Sequence, residues 1–387
     1  MALAQRENRV AVSATKLLLT SMISVILCVG SAVCAEAQDA QPNNANESWT
    51  ATAQTSVDNT NPSRTTESHA KSGNRSVDKQ RVEVLGPDGE YQPYSDTEKE
   101  TIHVNATTTR TVVRTYRWDG NGQRILVELT EEEEARSSAS GDTQVVRTTS
   151  NSDGSGNLQV VQRAVADTRK TGPEAQETKT MVYLADGNGG FAPSLQTQEL
   201  QKRSADHSVE VKKTTLVPDG NGNWAVGEVK ENTIKEDGKN RTSEERVSRP
   251  DLDGRLSEVS RTVGKETETA AGEKSNTVET YSTDVPGVAG DGSLSLKQRV
   301  TTVQKKDSAS KTEQQIEQPN PGNPSDGLRV SARTKYTVRY AASGTQQTKT
   351  TQTRDANGAF NVVAVQTEKS DQAPAGQVQR APSDKPR

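Results

Sequence analysis

A turn motif recurs along this chain at a nearly constant spacing. Nine copies of a short stretch rich in Asp, Asn and Gly follow one another at intervals of 31 to 38 residues. We call the last glycine of each copy its marker glycine; they are Gly89, Gly122, Gly156, Gly189, Gly222, Gly254, Gly292, Gly327 and Gly358. A period of this size indicates tandem structural units rather than ordinary globular domains.

Each unit has the pattern of two β-strands joined by turns. A large apolar residue lies two positions after most markers, and a second polar turn follows about halfway to the next. The arms are rich in Thr and Val in rough alternation with charge, as in Thr107 to Trp118, which is typical of strands. The best local case for helix begins at Glu128, but helical arms need apolar residues at three- and four-residue spacing.

The apolar register shifts by one residue shortly after several markers. In the last unit the apolar positions are Phe360, Val362, Val363 and Val365. A one-residue change of face is what a β-bulge produces. We therefore expect bulges early in the first strand of many units.

The repeat predicts an all-β fold, an elongated antiparallel β-meander of about nine two-stranded repeats of roughly 33–34 residues, over residues 81–369. A membrane barrel needs an apolar lipid face, and arms such as Glu228 to Lys235 place charge on both faces. We therefore expect an elongated, largely solvent-exposed meander. Whether it curls or closes stays open.

Composition limits the size of any core. Hydrophobic residues make up 29% of the 387 residues and aromatic residues 3%, so a core must be thin. Disorder is the alternative, although the net charge of -4 lacks the strong imbalance of disordered chains. The same near-neutral charge gives no basis for binding nucleic acid.

The N-terminal residues resemble an export signal. Basic residues precede an apolar run from Leu17 to Val33, and small residues then predict cleavage after Ala35 or Ala37. A retained membrane anchor is the alternative. We predict a signal peptide over residues 1–35, a disordered leader rich in Ser, Thr, Asn and Gln over 36–80, and a disordered tail over 370–387.

Export sets further expectations. The only two cysteines, Cys28 and Cys34, lie in the predicted signal, so the mature chain would have no disulfide or thiolate site. We expect a periplasmic, cell-surface or extracellular location, without membrane insertion after signal cleavage.

The marker turns are the candidate binding loops. Asp-Gly and Asn-Gly pairs supply the positive φ angles that hairpin turns require, and this alone accounts for them. Calcium is the alternative, because Asp and Asn oxygens are its ligands in loops. Its candidate ligands are Asp119, Asn121, Asp186, Asn188, Asp219, Asn221, Asp251, Asp253, Asp355 and Asn357. No other cofactor or metal is predicted.

The sequence gives catalysis little support. His69, His103 and His207 belong to no motif that joins a histidine to a catalytic partner. We predict that the chain is not an enzyme and has no catalytic residues.

Two runs carry a resemblance to known proteins. "YRWDGNGQRILVEL" from Tyr116 and "RPDLDGRLSEVSRT" from Arg249 resemble tandem β-repeat segments of uncharacterised exported bacterial proteins, over roughly Arg81 to Lys369. The resemblance implies architecture and export. The runs are also similar to the YD repeats of large surface proteins, but those repeats are shorter and centre on a Tyr-Asp pair that this chain lacks.

Two function classes follow from these expectations. The first is an exported, non-enzymatic scaffold or spacer. The second is an adhesin-like module that binds carbohydrate or protein, in one form stabilised by calcium in the marker turns. Phe191, Trp224 and Phe360 occupy the apolar position after the marker, where leucines also occur, so we expect this position to form core. Free sheet edges would also allow self-association.

Overall fold

The fold is taken from a computed structural model. It describes residues 47–57, 60–154, 156–269, 272–283, 293–305, 311–320, 322–323, 326–341 and 344–370. The predicted signal peptide, residues 36–46 of the predicted leader and the tail beyond Ser370 lie outside this part of the chain.

The described chain consists of twenty β-strands. Their bounds are β1 Glu47–Val57, β2 Thr60–Ser72, β3 Arg75–Leu85, β4 Tyr91–His103, β5 Thr108–Trp118, β6 Arg124–Arg136, β7 Thr143–Ser152, β8 Leu158–Gly172, β9 Ala175–Ala185, β10 Phe191–Arg203, β11 Val209–Pro218, β12 Trp224–Asp237, β13 Asn240–Pro250, β14 Leu256–Glu268, β15 Lys274–Ser282, β16 Ser295–Lys305, β17 Lys311–Pro319, β18 Leu328–Ala341, β19 Gly344–Arg354 and β20 Phe360–Ser370. Across these residues, no helix has the length and apolar character needed to cross a membrane. The predicted all-β antiparallel meander is confirmed.

The meander closes on itself. Each strand pairs antiparallel with the next, and β1 also pairs with β20. Six residue pairs form this seam, from Ala51 opposite Ser370 to Ser56 opposite Val365. A closed sheet has no free edge. The sequence left open whether the sheet closes; because it does, the expectation of self-association through free edges is wrong.

The two ends of the closed sheet carry different connections. From β3 onward the described marker turns join an odd-numbered strand to the even-numbered strand that follows it, as β11 is joined to β12, and they lie at one end, which we call the marker end. The connections that lead back, such as the one between β12 and β13, lie at the opposite end, which we call the return end.

The sheet begins earlier than the sequence indicated. Strands β1 and β2, and the first part of β3, lie within residues 36–80, which we expected to be a disordered leader. Their Ser, Thr, Asn and Gln residues lack the apolar period that marks a strand in isolation, and these strands form by pairing with neighbours in the closed sheet. The meander thus has ten hairpins rather than nine.

The predicted bulges are confirmed. In β12, Val226 faces Leu216 and Glu228 faces Thr215, so Gly227 is an extra residue without a partner. The same shift occurs in every even-numbered strand from β4 to β20. Bulges increase the local right-handed twist. The bulge therefore lies at nearly the same position in every hairpin from β3–β4 to β19–β20.

The core is thin, as composition predicts. Among the described residues the buried hydrophobic side chains are Val112, Val229, Ile234, Val247 and Val259. None of the described apolar residues two positions after a marker is fully buried: Leu158, Phe191 and Leu256 are exposed, and Trp224, Leu294 and Phe360 are half-buried. That prediction was wrong because their side chains meet only neighbours in their own single-layered sheet, with no second layer packed over them.

Candidate functional site

The predicted calcium ligands lie in separate hairpin turns at the marker end. In the turn of Asp219, the carboxylate Oδ1 accepts the backbone N–H of Asn221 at 2.7 Å and of Asn223 at 3.1 Å. Asp119, Asp186 and Asp251 accept the backbone N–H groups two and four residues on in the same way. Asp355 accepts the N–H of Ala359 at 2.9 Å.

These hydrogen bonds give the turn aspartates a structural role. The hydrogen bond from the backbone of Asn221 holds the pKa of Asp219 below its ordinary value, and the one from the backbone of Ala359 does the same for Asp355. In the described ranges no group of three or more His, Cys, Asp or Glu side chains is arranged to hold a metal ion. Calcium binding by the turns stays a prediction.

The three histidines lie apart. His69 Nδ1 is 2.6 Å from Asp78 Oδ1 on the neighbouring strand, and His103 Nδ1 is 3.1 Å from the hydroxyl of Thr109. His207 occupies a return-end turn with a φ of 62°. The structure does not bring them together into one site.

The two faces of the sheet carry different rows of side chains, and charged residues occur on both, as where Lys213 pairs with Lys230 on the face of Thr215. Directly paired residues in neighbouring strands point to the same face, and residues alternate between faces along a strand. One face carries rows of charge, such as Lys212, Glu231, Arg246 and Arg261 across β11 to β14, and we call it the charged face. The other carries rows such as Thr180, Thr197 and Thr215 across β9 to β11, and we call it the threonine face.

A groove lies on the charged face between β2 and β6. It consists of two adjoining cavities of about 640 and 340 Å³, which share Ser68, Lys79 and Glu98 in their linings. We call it the cationic groove. Its charged lining residues are Arg64, Arg75, Lys79, Arg81, Glu83, Asp96, Glu98, Glu100, Arg114 and Arg124.

Buried Asp96 holds the larger cavity together. Its Oδ1 accepts a hydrogen bond from Arg81 Nε at 2.9 Å and its Oδ2 one from Arg81 Nη2 at 3.2 Å, while Arg124 Nε lies 2.9 Å from Oδ2. Burial pushes the pKa of Asp96 up, but the hydrogen bond from Arg81 and the charges of both arginines outweigh it and hold the pKa below its ordinary value. Asp96 is therefore ionised at neutral pH.

The second cavity is organised by Glu100. Its carboxylate accepts Arg75 Nε at 2.6 Å and Arg114 Nη1 at 3.4 Å, and the hydrogen bond from Arg75 holds the pKa of Glu100 below its ordinary value. Two arginines thus share one carboxylate in this cavity, as they share Asp96 in the other.

Aromatic rings support the arginines at the marker end of the groove. The guanidinium of Arg124 lies 3.6 Å from the centre of the Tyr116 ring, and that of Arg64 lies 4.9 Å from the centre of the Tyr91 ring. Stacking of this kind restricts a guanidinium without using its N–H groups. The arginines are therefore held in place by contacts on two sides.

Sequence reasoning missed the cationic groove. In β4 the acids occur at every second position, Asp96, Glu98 and Glu100, which places them on one face of a strand. That alternation is visible in the sequence. Their partners, however, come from β3, β5 and β6, and the order and register of these strands are needed to bring them together.

Comparison with known proteins gives likeness in structure alone. No family model matches the chain, and no curated protein matches it in sequence. Among solved structures it is similar to a protein titled "Copper transporter OprC", with a TM-score of 0.42 and 6% identity over 86% of this chain and 81% of that one.

Two other solved structures come from Pseudomonas aeruginosa. OpdK, solved with vanillate, has a TM-score of 0.40 and 8% identity, over 84% of this chain and 97% of that one. The siderophore receptor PirA has a TM-score of 0.40 and 10% identity, over 86% of this chain and 81% of that one.

The predicted role as an exported scaffold, spacer or adhesin is wrong. It was drawn for an elongated, largely exposed meander, and pairing of β1 with β20 closes the sheet. The expectation of no membrane insertion rested on rejecting a closed barrel, and the pairing of β1 with β20 forms a closed sheet. The tandem β-repeat architecture itself stands.

Proposed function

We propose that the chain forms a hydrophilic passage in the cell envelope, through which small polar solutes cross. The single observation that carries this proposal is the pairing of β1 with β20, which turns the meander into a closed sheet around an interior space. The predicted export signal supports the location.

Strand number supports a passage of useful width. A regular barrel of twenty strands, with a strand spacing of about 4.8 Å and a tilt of about 40°, is roughly 40 Å across between backbones. Barrels of 16 to 18 strands already leave an aqueous channel. Side chains that extend inward from both walls would still leave room for hydrated solutes.

The chemistry of the sheet supports a wet interior. Whichever face lines the space, its side chains are polar: charged rows such as Lys212 and Glu231 on one face, and threonine rows such as Thr197 and Thr215 on the other. A lining of this kind retains water, as the polar interiors of channel-forming barrels do.

Strand length is also sufficient for a passage through a membrane. The strands are 9 to 15 residues long, and a tilted transmembrane strand needs about 9 to 11. The closed sheet is thus tall enough to connect two aqueous compartments.

Liposome swelling tests the passage. Full-length chain, reconstituted into vesicles loaded with a large polymer, is exposed to isotonic sugars of increasing size. We expect fast swelling with a monosaccharide and slower swelling as the solute grows, with no swelling in protein-free vesicles. Swelling that is absent for every solute, in vesicles shown to contain the protein, would overturn the proposal.

Closure is tested separately with paired cysteines. Gln54 lies opposite Thr367, and Thr367 lies opposite Thr348. In a chain with Cys28 and Cys34 replaced by Ser, Gln54→Cys with Thr367→Cys is expected to form a disulfide. Gln54→Cys with Thr348→Cys is the control, because those residues are two strands apart, about 10 Å, beyond the reach of a disulfide. Equal yields in both would show that the seam is not closed as described.

A further inference from the structure

The cationic groove carries more positive than negative charge. Its lining contains six cationic and four acidic side chains, Arg64, Arg75, Lys79, Arg81, Arg114 and Arg124 against Glu83, Asp96, Glu98 and Glu100. The local balance is +2 in a chain whose net charge is -4. The groove is therefore a positive region on a weakly negative protein.

The depth of the charges makes the groove more positive than the count suggests. The side chain of Asp96 is 6% exposed and that of its partner Arg81 is 49% exposed. Glu100 and Arg75 repeat the arrangement at 18% and 58%. The carboxylates thus lie beneath the guanidinium groups, and a molecule that enters the groove meets the cations first.

The four carboxylates are already paired. Arg64 Nε bonds Glu83 at 2.6 Å and Arg124 Nη2 bonds Glu98 at 2.7 Å, while Asp96 and Glu100 each have two arginines. Lys79 faces Glu98 and Ser68 across the strands, yet in the described part of the chain its ammonium has no ion pair. An unneutralised cation thus remains where the two cavities meet.

Other donors surround that cation. Arg81 bonds Asp96 through Nε and Nη2, which leaves Nη1 for a ligand. The hydroxyl of Ser68 lines both cavities beside Lys79. An ammonium, a guanidinium edge and a hydroxyl are the donors that bind a tetrahedral oxyanion, since each can reach a different oxygen.

We propose that the cationic groove binds a small divalent oxyanion, of the phosphate or sulfate type, with Lys79 as its central contact. The proposal goes beyond the hydrophilic passage and does not depend on it. Binding requires the local arrangement of β2 to β6 and can be measured in solution without a membrane, so failure of one proposal leaves the other standing.

Calorimetric titration with inorganic phosphate and with sulfate tests the groove. Folded full-length chain is expected to bind either anion saturably, and more weakly as salt is raised. Lys79→Gln is expected to weaken binding on the order of tenfold, because it removes a charged hydrogen-bond donor. Lys79→Arg keeps a cation and is expected to retain most of the affinity.

Lys99→Gln is the matched control. Lys99 is an exposed lysine of β4 that lies on the threonine face, one residue from Glu98 and Glu100. The substitution changes net charge by the same amount and should leave binding unchanged. Equal weakening by both substitutions would show diffuse attraction rather than a site, and no saturable binding by the folded wild-type chain would also overturn the proposal.

Discussion

The marker end and the return end of the sheet are built by different rules. At the marker end each described marker glycine has a positive φ, from 75° at Gly122 to 89° at Gly358, and a bulge follows within the next strand. At the return end the connections range from two residues, Gly238 and Lys239, to six, 137–142, and His207 takes the left-handed conformation without being glycine. The marker end repeats one local pattern of positive-φ glycine and bulge, and the return end uses connections of several kinds, some of them with a positive-φ glycine.

Deletion of one residue from β12 should give the largest difference in stability between the two ends of the sheet. Gly227 is the unpaired bulge residue. Its deletion leaves a regular ladder in which every remaining residue of β12 stays on its own face of the sheet, and we expect the free energy of unfolding to fall by about 1 kcal/mol. Deleting Glu231, closer to the return end, forces a slip in which Val229 or Ile234 changes face. Both are buried, and we expect a loss of roughly 4 kcal/mol.

Denaturant unfolding followed by circular dichroism measures both deletions. A smaller loss for the Glu231 deletion than for the Gly227 deletion would contradict the assigned bulge. The slopes of the two transitions should agree if both variants fold to the same closed sheet.

Two acidic residues of β4 allow the two ends of the sheet to be compared within one strand. Asp96 is nearer the marker end and almost fully buried, whereas Glu100 is nearer the return end and less buried, and each is paired with two arginines. Asp96→Asn leaves Arg81 and Arg124 over a neutral group and should cost about 2 kcal/mol. Glu100→Gln should cost less than about 1 kcal/mol, because its partners remain solvated. Thermal melts of the two variants measure these losses of stability. Equal losses would mean that burial of the carboxylate does not determine the cost of removing its charge.

The marker end is the part of the fold that sequence could predict, and closure is the part that it could not. Asp-Gly and Asn-Gly pairs fix φ within four residues, and the shift from Val362 to Val363 reveals a bulge within one strand. Closure depends on pairing of β1 with β20, about 300 residues apart in the chain. Strands β1 and β2 have no alternation of apolar residues by which the sequence could identify them. A polar strand between two others is held by backbone hydrogen bonds and does not need such a pattern. The cationic groove was missed because its lining residues come from β2 to β6, and the sequence does not give the pairing of these strands.

Two glycines of one hairpin sharpen the comparison at smaller scale. Gly222 is a marker with a φ of 85°, and a side chain there is strained although space is open. Gly222→Ala should cost about 1 to 2 kcal/mol. Gly227 has no positive φ, and a Cβ there would meet Val217 Cγ1 at an ordinary 3.4 Å, so Gly227→Ala should change stability by less than about 0.5 kcal/mol. Chemical denaturation of both variants measures the difference, and equal effects would remove φ as its cause.

The smallest expected effect concerns turn aspartates at the two ends. Asp219 at the marker end accepts two backbone N–H groups, whereas Asp206 at the return end accepts the N–H and the hydroxyl of Ser208. Hydrogen bonds lower the folded pKa of both, that from the Asn221 backbone first for Asp219 and that from the Ser208 side chain first for Asp206. Each carboxylate therefore adds stability above its unfolded pKa of about 3.9, and this contribution disappears as pH falls through the lower folded pKa.

Asp219→Ala should accordingly lower the melting temperature at pH 7 and converge with wild type in acid, where the wild-type carboxylate is protonated. Asp206→Ala should follow the same course with a smaller difference at pH 7, because only one of its two bonds holds the backbone of the turn. Melts from pH 7 to pH 2 give both curves. If a variant stays below wild type by a constant amount at every pH, its aspartate stabilises the turn by a contact that does not depend on charge.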